Sequence, residues 1–406
     1  MEFGIDDITS LIFLILLFGV IKFIERKFFK FNNYSPVTLL VFPIIVLQIL
    51  VTVTSSYTNF ILPNSKAIKI IIYGMLSFWL GGVVISIFLQ PLRRIKVKRI
   101  NTAPIGLMYV TGILFSIILL VSLRGMLNGA SILNLNKTDF AQNGIEAHIG
   151  GVIMGYLMFF IVVFWETKIK KKKYLLYALI IIIIFLKIVS GVRGNIILPL
   201  IGAVLYLLFN NYIKLKVKNV ILIALSVIAL FILPTLIFVK DASFDYLVSY
   251  FIFYVSAGVL GINGYMNQTY PIIGNNPDYI FTFFINLSKK ISGLSDFNSV
   301  VLENFVQVVN GKNEYGFTSN VYTLLGDVYI NSGYFLGSCY FIVLGAYSYI
   351  IFSLKNRSIM LGLLYAFLGA SLVLGFFGQY VLHPYFYELQ VLFIALHFLS
   401  KFKLKI

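Results

Sequence analysis

The run KKKKYLLYALIIIIIFLKIVSGVRGN, residues 170–195, decides how the fold is read. Four lysines precede about sixteen apolar positions broken only by Lys187, and a glycine-framed turn holding Arg193 follows. An apolar helix of that length sits at the short end of what crosses a hydrocarbon layer of about 30 Å. Lysines massed at one end mark the cytoplasmic side. The same grammar repeats outward in both directions. Eleven apolar runs, at about 7–24, 37–56, 68–90, 104–122, 149–166, 174–189, 195–210, 219–239, 334–354, 359–378 and 386–400, are expected to span. Composition agrees. The 406 residues are 60% hydrophobic and 12% charged, with a mean hydropathy of +0.94. Soluble domains hold about 45–50% apolar and about 25% charged residues. A single soluble domain is excluded, and 17% aromatic residues exclude a disordered chain. One cysteine, Cys339, excludes a disulfide framework, and three histidines leave little for a metal cluster.

Charge sets the expected orientation. Glu2, Asp6 and Asp7 open the chain with no Lys or Arg beside them, which is not the start of a cleavable signal and places the N-terminus outside. Basic clusters then follow every second span. They are Lys22 to Lys30, Arg93 to Arg99, Lys168 to Lys173, Lys214 to Lys218, Lys355 with Arg357, and the Lys401–Lys405 tail. About two-thirds of the 32 Lys and Arg fall on that one side, so the C-terminus is expected inside. The net charge of +17 then records orientation and attraction to anionic lipid, and no nucleic acid is needed to explain it.

The expected fold is an all-α polytopic membrane protein of about 11 transmembrane helices. Residues 1–239 carry helices 1–8, residues 240–333 form one large extracytoplasmic loop, and residues 334–406 carry helices 9–11 and a cytoplasmic tail. The loop contains an apolar run, Tyr246 to Leu260. A lone extra span there would invert everything after it, so an interfacial helix on a semi-buried outer domain is expected, with Tyr279–Leu287 able to dip as well. No inverted internal repeat of the transporter kind is visible.

Outward-facing polar groups are the candidates for chemistry, because charge near lipid is costly. Arg193 in Ser190-Gly191-Val192-Arg193-Gly194-Asn195 is the first, since a guanidinium can grip a phosphate with two parallel hydrogen bonds. An arginine snorkelling to lipid phosphate is the structural alternative. Arg124 opens another outer loop that runs to His148, a base or hydrogen-bond donor, or else a surface histidine. Asn320, Tyr322, Thr323 and Asp327 resemble the lining of a sugar pocket, or equally a helix cap with interfacial tyrosines. His383 and Glu388 flank Pro384 in the last outer loop and serve as a base or as caps; His397 reads as a packed interfacial residue.

Ser190-Gly191-Val192-Arg193-Gly194 between two short spans, a long outer loop, and then Asn320-Val321-Tyr322-Thr323 leading to Asp327-Val328-Tyr329 and Gly333, Gly337 resemble the bacterial oligosaccharide repeat unit polymerases of O-antigen and capsule, the Wzy type. The resemblance implies a metal-independent glycosyltransferase without cofactors at the outer face of the bacterial plasma membrane. It would polymerise repeat units linked to undecaprenyl diphosphate, with lipid-linked donor and acceptor, membrane lipid, a chain-length regulator and a flippase as partners. It implies catalytic roles among His148, Asp327, Glu388 and His383. Diphosphate binding would fall to Arg193, with Arg124 or Lys240 as second cation because 240–333 holds no Arg, and substrate binding to Asn195, Asn320, Tyr322 and Thr323. An O-antigen ligase shares the leaving group and differs in its acceptor. A lipid-linked oligosaccharide flippase is the rival of another class.

Overall fold

The structure, a computed structural model, describes residues 5–93, 110–118, 145–166, 170–189, 194–213, 243–268, 271–274, 276–294, 305–310 and 316–399. The protein is helical almost throughout. Helices cover Ile5–Phe28 (α1), Pro36–Thr58 (α2), Ser65–Arg93 (α3), Ile145–Glu166 (α4), Lys170–Val189 (α5), Gly194–Phe209 (α6), Phe244–Met266 (α7), Thr282–Ile291 (α8), Leu324–Leu354 (α9), Ile359–Val373 (α10) and Pro384–Leu399 (α11). Residues 110–118 are also helical. The described residues contain six helices long and apolar enough to cross a membrane, in α1, α2, α3, α7, α9 and α10, so this is a multi-pass α-helical membrane protein. The expected span 219–239 lies outside the described residues, as does most of 104–122.

Backbone contacts divide the chain into two compact units. One comprises Met1–Phe88, Lys214–Tyr349 and Leu372–Leu382; the other comprises Leu89–Ile213, Ile350–Ser371 and His383–Ile406.

In the first unit local chemistry sets the helix ends. Ser35 is extended and Pro36 opens α2, where a missing N–H costs nothing. Asn59 closes α2 in the left-handed region, its N–H bonded to Ser55 O. The α3 start is capped twice: Asn64 Oδ1 accepts from Lys66 N, and Asp7 of α1 accepts from Ser65 N at 2.7 Å. A short antiparallel ladder pairs Val306 with Ser319 and Gln307 with Thr318.

The run 246–260 belongs to α7, 23 residues with a mean hydropathy of 1.5, by length and composition enough to cross a membrane. Its first turn meets the end of α2 through Tyr57 and Asp245, and its C-cap Asn267 accepts from Asn64 just before α3. Gly258, Gly261 and Gly264 give α7 a smooth buried face that backbone approaches closely. A Cβ on Gly258 would stand 2.0 Å from Phe376 O, and one on Gly261 2.0 Å from Val321 O. Small residues permit this approach where apolar surface gives little preference between lipid and protein. The same device joins α3 to α9, where Cβ atoms on Gly81 and Gly345 would lie 2.0 Å from Ile342 O and 1.9 Å from Phe78 O.

A fully buried carboxylate ties α1 to α2 and α9. Glu25 accepts from Lys22 Nζ at 2.8 Å, from Ser35 Oγ at 2.6 Å and from Tyr349 Oη. Glu25→Ala is expected to lower the unfolding midpoint in detergent sharply, since removing one partner of a buried ion pair costs about 3–5 kcal/mol. Glu25→Gln, which keeps an acceptor, should lose less. An unchanged midpoint for the Ala variant would show the cluster to be decorative.

In the second unit α4, α5 and α6 pack on one another, and α11 packs on α4. Tyr206, Phe159, Phe160, Tyr365 and Phe367 are fully buried there.

Candidate functional site

Three helix starts gather at one end of the second unit. Gly151 of α4 meets Tyr385 of α11, and Gly155 meets Leu389. Both contacts advance by four residues, so α4 and α11 run parallel, and the helix position of His148 falls level with the start of α11. Connections of three and four residues force α4, α5 and α6 to alternate in direction, so α6 runs parallel to α4. Gly202 of α6 packs against Met158 of α4. Eight residues back from that contact, Gly194 is level with Gly150. The starts of α6 and α11 therefore share the level of residue 150 in the first two turns of α4, and the helix positions of His148 and Asn195, whose side chains lie outside the description, fall within one turn of it. Arg193 also lies outside the described residues, but it is bonded to Gly194, the first residue of α6.

The electrostatics of this end favour an anion. Each helix start carries the equivalent of about half a positive charge together with N–H groups that lack helical partners. His383 sits at the start of α11, its carbonyl accepting from Phe386 N at 3.0 Å. Its ring stacks on Tyr385 with centroids 5.2 Å apart and planes at 8°. Burial pushes the His383 imidazole down to about 4, so at neutral pH it is uncharged, one nitrogen being an acceptor and the other a donor. Glu388 lies one turn into α11. His397 is bonded to Ser358 at 2.8 Å, a packing role.

The first unit holds a separate polar centre. Asp327, in the first turn of α9, is 2% exposed, and its Oδ2 has no hydrogen-bond partner among the described residues. Tyr279 and Tyr322 stand close to it. Burial foremost, and then the Asp327 charge, push both phenols above the ordinary range. Thr323 is fully buried and caps α9, its Oγ1 accepting from Gly326 N at 3.0 Å. Tyr322 is also fully buried, edge-on to Tyr265, so neither residue presents an open face. Asn320 is half-buried beside them. Six residues beyond Asp327 the helix breaks at Gly333, whose φ of 75° suits glycine. The carbonyls of Ile330 and Asn331, which in an unbroken helix accept from Tyr334 and Phe335, here accept from Gly274 N at 2.7 Å and Asn276 N at 2.9 Å. Ser332 Oγ is buried there without a partner among the described residues.

The structure thus brings together His148, Asn195 and His383 by helix level in one unit, with Glu388 one turn along, and Asn320, Tyr322, Thr323 and Asp327 in the other. Arg124 and Lys240 lie outside the described residues. Among the described residues no three His, Cys, Asp or Glu side chains gather to hold a metal. The sequence reading passed over Tyr279 and the amide chain Gln48, Asn263 and Asn64, which joins α2 and α7 to the start of α3. The signal was there: Gln48 and Asn263 are amides inside apolar runs. Comparison with known proteins adds a family match. A family model described as a family of unknown function (DUF6337) matches residues 95–406. No curated protein and no solved structure matches the chain.

Proposed function

The chain belongs to the DUF6337 family of unknown function, and from its own residues we propose that it is a membrane-embedded glycosyltransferase. In this reading it polymerises undecaprenyl-diphosphate-linked oligosaccharide repeat units into O-antigen or capsular polysaccharide at the outer face of the bacterial plasma membrane. The observation that supports the reading is the shared level of the α6 and α11 starts beside the first turns of α4, which supplies an anion-favouring end with Arg193 bonded to the first residue of α6 and two histidine positions within a turn.

In the proposed reaction the acceptor hydroxyl oxygen bonds to the donor's anomeric carbon as the bond from that carbon to the phosphate oxygen breaks. The diphosphate leaves with the bonding electron pair, and its growing charge is met by Arg193 and the helix starts. His148 takes the hydroxyl proton. Neutral His383 orients a hydroxyl or phosphate oxygen. We take the N-terminus as outside and the C-terminus as inside. A chain-length regulator and a flippase would act alongside.

One observation favours a second reading, a lipid-linked oligosaccharide transporter. α9 is interrupted beside a buried carboxylate, and discontinuous helices line the sites of many transporters. The experiment separates the two. Purified protein in liposomes, given undecaprenyl-diphosphate-linked repeat units, is expected to yield a ladder of lengthened lipid-linked glycans and release undecaprenyl diphosphate. The ladder should persist in excess chelator. Movement of substrate across the bilayer without lengthening would decide for the transporter. Loss of the ladder in chelator, restored by a divalent ion, would overturn the metal-free step.

A further inference from the structure

A cavity of about 660 Å³ opens in the first unit between the start of α3, the end of α7 and the part of α9 after its break. Its chemistry is divided. Lys66 and Lys69, one turn apart on α3, supply two exposed ammonium groups. Neither lysine has an acidic partner among the described residues. The nearby Asp7 carboxylate accepts from Ser65 N at the α3 start. The opposite wall is apolar and aromatic. Phe335 is 78% exposed, and Tyr73 and Tyr334 meet edge-on with centroids 5.7 Å apart, each about half exposed. Phe335 and Tyr334 belong to the first turn after Gly333, where the usual carbonyl acceptors have been taken by Gly274 and Asn276.

Depth identifies the occupant. Lys66 and Lys69 stand in the first two turns of Ser65–Leu89, which is long and apolar enough to cross a membrane, and a bilayer around that helix would put them near its headgroups. A free phosphate would use the lysines and leave the aromatic wall bare; a neutral lipid would use the wall and leave two cations unmatched. We propose that this cavity binds one anionic phospholipid of the bilayer, its phosphate against Lys66 and Lys69 and its acyl chain along Tyr73, Tyr334 and Phe335. The site is independent of the glycosyl-transfer reading. A lipid held there bridges α3 to the second half of α9, and so braces the break above Asp327.

The test uses the full-length protein, delipidated in detergent and followed by native mass spectrometry. Phosphatidylglycerol is titrated against phosphatidylcholine. Wild-type protein is expected to retain one phosphatidylglycerol at least about tenfold more tightly, the scale of about 1 kcal/mol per basic residue near an anionic lipid. The double variant Lys66→Gln/Lys69→Gln should lose that preference, and Lys66→Arg/Lys69→Arg should keep it. Phe335→Ala, at an exposed position, should weaken retention of phosphatidylglycerol and leave its preference over phosphatidylcholine intact. Equal retention of the two lipids by wild type, or an unchanged preference in the Gln pair, would overturn the proposal. So would inorganic phosphate displacing the lipid at equal concentration, or a polyprenyl phosphate excluding phosphatidylglycerol from the site. The first would reassign it to free anions and the second to the carrier lipid.

Discussion

Cells whose only copy carries Arg193→Ala are expected to make no long polymer while the protein still inserts and accumulates. Four residues connect α5 to α6, and the last of them, Arg193, is bonded to the first residue of α6, whose start is level with that of α11. A charge-assisted hydrogen bond contributes about 1.5–3 kcal/mol. A contact that strengthens as the diphosphate leaves contributes more to the rate than to binding. At about 1.4 kcal/mol per decade the loss is at least about tenfold. Arg193→Lys should recover part of the activity, because a point charge lacks the paired geometry of a guanidinium. An arginine that only reaches lipid phosphate predicts near-normal polymer with Lys and a mild loss with Ala. Full-length polymer from the Ala protein would end the diphosphate role and leave Arg124 as the cation to test.

The second large effect is expected at Asp327, where stability and activity should move apart. A buried carboxylate oxygen without a partner costs about 1–3 kcal/mol relative to a satisfied one, and apolar replacements of similar volume at such places are often neutral or stabilising. Asp327→Leu is therefore expected to unfold at the same temperature as the wild type or above it, yet to form no polymer. Asp327→Asn keeps the shape and loses the carboxylate, and should be equally inactive. Strain retained at a functional site has this signature. Polymer of normal length from either variant would remove Asp327 from the chemistry. A large fall in the unfolding temperature for the Leu variant would instead make it a structural residue whose partners lie among the undescribed segments.

These two residues differ in how far they could be read in advance. Arg193 stood out because a charge in a glycine-framed turn between two short apolar runs is costly, a local argument that needs no fold. Asp327 was legible as a carboxylate at the mouth of a span. Its isolation was not, since the burial of its oxygen depends on Tyr279 and on 271–276 reaching the α9 break, far apart along the chain. Thr323 shows the reverse case. Its pocket-like pattern of neighbours fits a sugar site and a cap equally, and the hydrogen bond to Gly326 N fulfils the cap. The run 246–260 was legible as an apolar helix. Its close-packed face, made by the glycines at 258, 261 and 264, depends on the backbone at Val321 and Phe376 that comes to rest against it.

Order along the chain settles whatever depends on neighbouring residues and on the bilayer as solvent. Helical class, the membrane setting and the lysine anchors follow from apolar runs and charge alone, because in hydrocarbon every backbone group must find its partner within the helix. Tertiary structure decided what depends on contacts between distant segments. It set the parallel course of α4, α6 and α11 that brings His148, Asn195 and His383 to one level. It also set the break at Gly333 and the cavity beside Lys66 and Lys69. The physical reason is that a glycine or lysine has the same local propensity wherever it stands. Which backbone comes to rest against it is fixed only when the helices pack.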